Sequence, residues 1–343
     1  MSTSPRAIPP VAEFLPKIKL LDEPGLPEQF HIFQENSAQA IRAALAARRP
    51  LLVRGEPGVG KTQLAEAAAR VLKMPFVSQI VDSRTESRDL LWSFDAVMRL
   101  ADAQVAAALR PGVGSNGNPT ESRDELKKAL KAELNVAKYV RPGPLWWAFN
   151  WEDAQSQAAC SETPEPEVHD ANYLNGVVVL IDEIDKADAD VPNGLLEALG
   201  SGRFKPLGRD KPVQVKGPPP LVVITTNEER VLPSAFVRRC LVHHLTLPEK
   251  DDELAELLIK RAAAHFGSQD EKSVTLFEKA ADLLVAARKR AKDRLVSPLP
   301  GQAEYLDLLR AVRNLHVGTK EDPLEILESV RPFLLEKQSE TRS

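Results

Sequence analysis

The chain of 343 residues carries a net charge of −4, with charged residues at 27% and hydrophobic ones at 43%. This ordinary globular balance leaves room for a sizeable core and two units, and it offers no global basic field for nucleic acid or an anionic membrane. Two cysteines make neither a disulfide framework nor a metal-ligand set. Cys160 and Cys240 therefore read as small hydrophobes in a reducing, cytoplasmic setting. No secretory signal is visible, and no run approaches the ~20 apolar residues of a membrane helix.

Residues 1–28 are proline-rich without periodicity. They read as a loosely attached arm, either disordered or packed on a neighbouring subunit. Glu35 to Arg48 has helical spacing through Ala40, Ile41, Ala44 and Leu45. Pro50 to Val53 reads as a short buried strand and Gln63 to Lys73 as an Ala/Leu-rich helix. Between them, Gly55-Glu56-Pro57-Gly58-Val59-Gly60-Lys61-Thr62 fits the phosphate-cradling pattern G-x-x-x-x-G-K-[ST] without a mismatch, in the strand–loop–helix context that chemistry needs. The glycines let successive N–H groups turn toward one anion, and the following helix adds its positive end. Gly55 through Gln63 are thus candidate nucleotide-binding residues, with Lys61 reaching the outer phosphates and the Thr62 hydroxyl holding Mg²⁺.

Pro75 to Val81 is a second strand, and Asp89 to Asp95 opens a helical or irregular segment. Residues 111–120 are turn chemistry, Glu121 to Lys138 is a charged amphipathic helix, and the acidic stretch 152–171 reads as another loop. The aromatics of 141–149 suit either a partner surface or, preferred here, packing of this insertion onto the core. Gly176 to Glu183 is a strand buried on both faces that ends in two carboxylates. Asp182 is placed to hold Mg²⁺, and Glu183 to orient or deprotonate an attacking water. Asn193 to Gly200 reads as a helix and 203–216 as a hairpin. Leu221 to Asn227 is a fourth strand whose Asn227 can bond a phosphate or the water. Arg238 and Arg239 precede a fifth strand, Leu241 to Leu247, and either can serve as a finger toward a neighbour's nucleotide. Strands alternating with helices predict an α/β fold with a parallel five-stranded sheet and its site at the strands' carboxyl ends. From Glu249 onward the pattern is helical, over 251–266, 272–293, 301–316 and 323–337. The expected domains are an arm (1–28), a nucleotide-binding α/β unit (29–248, with an insertion over about 101–171) and an all-α unit (249–343). The histidines have no metal-ligand spacing, so no metal beyond Mg²⁺ is expected.

With these residues assembled, residues 30 to 316 resemble the AAA+ P-loop ATPases, and within them the MoxR-like group. The motifs are GEPGVGKT at 55–62 (Walker A), VVVLIDEIDKAD at 177–188 (Walker B), TTNEER at 225–230 (sensor 1) and LPSAFVRRC at 232–240 (arginine-finger segment). The resemblance implies a helical lid after the α/β unit and a ring, often hexameric, with ATP at each subunit boundary. It also implies chaperone-like remodelling of a protein client, commonly with a partner bearing a von Willebrand factor A domain. Arg239 aligns best with the family's finger, with Arg238 as the alternate. The chain departs from the pattern at Ser297 to Glu304, where the family has a basic sensor-2 residue and this sequence has none. Arg294 and Arg310 flank that stretch out of register.

The leading expectation is an ATP-hydrolysing remodelling motor. A nucleotide-dependent scaffold or switch with slow hydrolysis is the second. A nucleic-acid-associated motor is the third, opposed by the acidic charge and the lack of an appended DNA-binding unit.

Overall fold

The computed structural model describes residues 7–20, 28–108, 134–267, 270–318 and 321–336. In chain order, β1 (Ile18–Lys19) and β2 (Phe30–His31) precede α1 (Glu35–Ala47), β3 (Leu51–Arg54), α2 (Lys61–Leu72) and β4 (Phe76–Ile80). Next come β5 (Trp92–Phe94), α3 (Ala96–Ala108), β6 (Val140–Pro142), α4 (Pro144–Phe149), α5 (Trp151–Cys160) and β7 (Val178–Asp182). Then follow α6 (Asp190–Ser201), β8 (Arg203–Phe204), β9 (Val213–Gln214), β10 (Leu221–Thr226), α7 (Ser234–Val237) and β11 (Leu241–His244). The chain ends in four helices, α8 (Asp251–Phe266), α9 (Glu271–Asp293), α10 (Gln302–His316) and α11 (Pro323–Leu335).

Five strands form one parallel sheet in the order β11-β3-β10-β7-β4. The three inner strands carry the unbroken apolar runs, because helices cover both of their faces. Successive side chains alternate between two cores. Leu51, Val53, Val178, Leu180, Leu221 and Val223 face one core, which contains α1, α2 and the C-terminal helices. Leu52, Val179, Ile181, Val222 and Ile224 face the other, filled by Trp146, Trp147, Phe149 and α6. The register brings the carboxyl ends together, with Thr226 opposite Arg54 and Ile80 opposite Asp182. The sheet and the helical C-terminal region match the expected fold class.

Several local expectations change. Residues 92–94 are not helical or irregular: they form β5, antiparallel to β6 with Phe94 opposite Val140, a pairing across more than forty residues that local periodicity does not reveal. The stretch after 151 is not a loop at first. It is α5, capped by the Asn150 side chain on the Asp153 N–H (3.2 Å), with buried Gln157 donating to the carbonyls of Ala137 and Val140 (2.7 Å each). Cys160 ends that helix exposed rather than buried, whereas Cys240 is buried. The described part of the arm is docked on its own chain: Phe14 is fully buried and meets Phe33 edge-on at 5.4 Å, and β1 pairs with β2. The fifth strand stops at His244, although Leu245 and Leu247 stay buried. Helix α6 runs past Gly200 and ends at Gly202, which takes the left-handed conformation (φ +61°). The loop expected over 111–120 and the helix expected from Glu121 lie outside the described residues, except that 136–139 form a 3₁₀ turn.

The aromatic stretch packs inward. Trp146 and Phe149 are at most 1% exposed, and the β8–β9 hairpin closes over them. Arg209 of the hairpin grips Asp153 with two bonds (2.6 and 2.8 Å) and lies 5.2 Å from the Trp146 ring, whose indole N–H also reaches Asp153 (2.8 Å). Burial acts to raise the Asp153 carboxyl, but these donors outweigh it and hold its pKa below the usual range. Among the described residues, no helix is long and apolar enough to cross a membrane.

Candidate functional site

The loop from Gly55 to Gly60 joins β3 to α2 at the carboxyl edge of the sheet. Two constraints explain its glycines. A Cβ on Gly55 would lie 2.3 Å from the Leu245 carbonyl oxygen, so no side chain fits. Gly60 sits at φ +95°, directly before the first turn of α2, where an L side chain is strained. Val59 is the loop's buried anchor, while Pro57 and Gly58 are exposed.

Lys61 is only 7% exposed. Its ammonium donates to the carbonyls of Gly55 (2.8 Å) and Glu56 (2.9 Å) and to Asn227 Oδ1 (2.7 Å). Burial pulls its pKa below the usual lysine range, and Asp182, Asp185, Glu183 and Glu228 partly oppose that pull. All three of its hydrogen-bond partners among the described residues are neutral oxygens, with no contacting counter-ion among those residues. The Thr62 hydroxyl, one residue on, is exposed and donates to Asp182 Oδ2 (2.8 Å). The Gln63 amide turns away to Gln29 (2.9 Å), bracing α2 against the segment before β2.

Asp182 ends β7, and its second oxygen accepts from the buried Thr225 hydroxyl of the neighbouring β10. That hydroxyl also accepts from the Glu183 N–H (2.9 Å), so one threonine orders both carboxylate residues. Glu183 takes the left-handed conformation (φ +60°), uncommon for a residue with a side chain. Its carboxylate accepts from Asn227 Nδ2 (3.3 Å) and pairs with Lys186 (2.6 Å). This bond raises the Lys186 pKa. Asn227 follows the last residue of β10 and links Lys61 to Glu183 through the two ends of its amide. The turn after it is held by Asp185, which is 2% exposed and accepts from the Asn227 (3.4 Å) and Glu229 (3.0 Å) N–H groups.

Lys61, Thr62, Asp182, Glu183 and Asn227 therefore converge at the ends of three adjacent strands. Arg238 and Arg239 do not join them. They lie just before β11, whose first residue bonds Pro50 at the amino end of β3, the opposite edge of the sheet. Their side chains are exposed, and their carbonyls are held by the Arg49 guanidinium, that of Arg239 at 3.0 Å from Nε. The histidine pair of β11 splits as its strand alternates: His243 is buried against Ser37 (2.9 Å) and His244 is exposed. Sequence reasoning missed Thr225, Asp185 and Lys186. The spacing of Asp185 behind the two carboxylates and the Thr-Thr end of β10 were visible signals. That Lys186 meets Glu183 depends on the 3₁₀ turn Ile184–Lys186, which the pattern did not announce.

The site's donors are oxygens of one hydroxyl and one carboxylate beside a buried cation and a glycine loop. That set fits a hard divalent cation bound together with phosphate oxygens, since Mg²⁺ is held by few protein ligands plus phosphates and water. A family model for the AAA domain of the dynein-related subfamily matches residues 50–240. No curated protein matches the chain. Among solved structures, a candidate ATPase from Cytophaga hutchinsonii is 17% identical, with 90% of this chain and 84% of that one covered and a TM-score of 0.36. Two point variants of RuvB from Thermotoga maritima are 19% and 18% identical, with TM-scores of 0.41 and 0.42. They cover 87% and 88% of this chain, and 70% and 71% of theirs is covered.

Proposed function

The chain belongs to the AAA family, in its dynein-related subfamily, and is an ATPase; from that premise we propose that it acts as a Mg²⁺-dependent, ring-forming remodelling ATPase of the MoxR-like group, working on a protein client. The observation that supports this most is the continuous polar relay from Lys61 through Asn227 to Glu183, with Thr62 and Asp182 beside it.

In this reading the loop residues Gly55, Glu56, Pro57, Gly58, Val59 and Gly60 enclose the phosphates, with Gln63 bracing the helix that follows. Lys61 exchanges its carbonyl contacts for the outer phosphate oxygens and neutralises their charge. Thr62 and Asp182 would hold Mg²⁺, which would supply positive charge against the charge that builds on the phosphate in transfer. Asn227 fixes Glu183 relative to Lys61. Glu183 releases Lys186, orients the attacking water and takes its proton. Arg239, with Arg238 as the alternate, reaches the site of an adjacent subunit. Their exposure at the sheet's amino edge supports that assignment, because within one chain they are on the wrong side.

The ion pair between Glu183 and Lys186 favours one second reading, a nucleotide-dependent switch. The base is occupied in this state, and a partner that frees it would start turnover. One experiment separates the two: specific ATPase rate against protein concentration, with mass in solution with and without ATP. A rate that rises with concentration alongside ATP-dependent oligomers supports the ring motor. A monomer that binds ATP without turnover rejects it and leaves the switch.

A further inference from the structure

We propose that Arg288 is the residue through which the C-terminal helices hold the phosphate loop, a positioning residue that sets how long nucleotide stays bound. The proposal rests on the nucleotide-binding reading above. Arg288 lies on α9, far from every motif, yet it is 7% exposed. One guanidinium nitrogen donates to the Pro300 carbonyl (2.6 Å), in the connection leading into α10. Another donates to Glu56 Oε2 (3.0 Å), the loop's own carboxylate and the only acidic partner of Arg288 among the described residues.

The loop and the helical unit also approach closely, with no room for larger side chains between them. A Cβ on Gly58 would come within 3.0 Å of the Ala303 methyl, and a Cβ on Gly301 within 3.6 Å of the Pro57 carbonyl oxygen. Arg288 thus ties the loop at the point where α10 begins, the stretch that carries no basic residue of its own. Through the main chain of Glu56 the tie extends further, since the Glu56 carbonyl accepts from Lys61, and Lys61 bonds Asn227, which bonds Glu183. A bidentate guanidinium can hold both a carbonyl and a carboxylate in a fixed geometry, which a lysine cannot reproduce. Motion of α9 is transmitted to the phosphate cradle, and a loop braced in its binding shape loses less freedom on taking up phosphate.

The test uses the full chain and a fluorescent methylanthraniloyl-ADP, with dissociation followed by stopped flow and steady-state turnover measured in parallel. Arg288→Gln is expected to speed dissociation about tenfold, the weight of one charge-assisted bond. KM should rise by a similar factor and kcat should move less. Arg288→Lys should recover part of the loss. Because Arg288 is buried, Glu56→Gln provides a second route that leaves α9 intact. It should also speed dissociation, and the double variant should be no faster than the faster single one, since both remove the same bond. Dissociation within twofold of wild type in Glu56→Gln and in a folded Arg288→Gln overturns the proposal, as does simple multiplication of the two effects. Failure of the wild-type chain to bind the analogue would instead remove the reading on which it rests.

Discussion

The two edges of the central sheet are built from the same five strands and behave oppositely. At the carboxyl edge, Lys61, Thr62, Asp182, Glu183 and Asn227 bond one another, and every charge has an acceptor or donor in its own chain. At the amino edge, Arg238 and Arg239 are exposed, and among the described residues only their backbone is engaged. The first edge is a site that a single chain can assemble. The second presents cations without an acidic partner among the described residues, the arrangement on which their proposed reach to a neighbouring subunit rests. In a parallel sheet all strand ends of one kind lie on one side, so no local rearrangement can bring the two sets together.

Breaking the comparison at the amino edge should cost most. Arg239→Ala is expected to lower kcat about 10³-fold, the low end for an arginine that completes a phosphoryl-transfer site, while ATP binding stays near wild type. Mixing that variant with Glu183→Gln should restore some turnover, because the proposed ring, assembled from both, would contain boundaries with both groups intact. If the mixture stays dead, or if Arg239→Ala alone is fully active, the two edges do not cooperate.

The carboxyl edge is broken by Glu183→Gln, which should cut turnover by about 10²- to 10³-fold, within the usual range for a general base. Equilibrium binding of ATP should survive. Near-normal turnover in this variant would end the role given to Glu183.

A third change leaves both edges in place and attacks what supports them. Trp146→Ala empties the middle of the core behind β7 and β10 and removes both the ring beside Arg209 and the indole bond to Asp153. It should cost about 3–5 kcal/mol of stability, read by urea unfolding. Nucleotide affinity of the surviving folded fraction should be unchanged.

The smallest effect, over the range from pH 7 to 5, is one of pH. Burial, with Arg261 and His265 adding to it, lowers the His31 pKa from 6.5 to about 3. The folded state therefore binds fewer protons than the unfolded state between those values. Stability is fully present above pH 6.5 and falls as pH drops toward 3, by about 1.4 kcal/mol per unit for this residue. Urea midpoints at pH 7, 6 and 5 should show the decline, and His31→Leu should flatten it. An unchanged slope in that variant would mean that burial does not lower the His31 pKa in the folded chain.

Much of this molecule is legible in the sequence because its signals are local. The loop pattern at 55–62, the apolar runs of β3, β7 and β10 and the two carboxylates after Ile181 each lie within a few consecutive residues. Their backbone geometry follows from steric rules that act over the same distance. The same holds for the four C-terminal helices, whose boundaries lie within one or two residues of those read from periodicity. Elements that depend on distant partners were illegible or misread. Strand β5 exists because of β6, the described part of the arm docks because Phe14 finds Phe33, and α5 is a helix whose Gln157 side chain closes the turn before β6.

By itself, then, the sequence determined where the glycine loop lies and at which strand ends the carboxylates and the asparagine stand, because glycine conformation, charge type and strand period are properties of neighbouring residues. Packing of the folded chain, much of it between distant segments, sets that Thr225 orders both carboxylates, that Lys186 occupies Glu183, that Arg288 ties Glu56 to the C-terminal helices and that Arg238 and Arg239 face away. Those depend on parallel strand register and on helix packing across separations of up to more than two hundred residues, where no pattern along the chain records which side chains will meet.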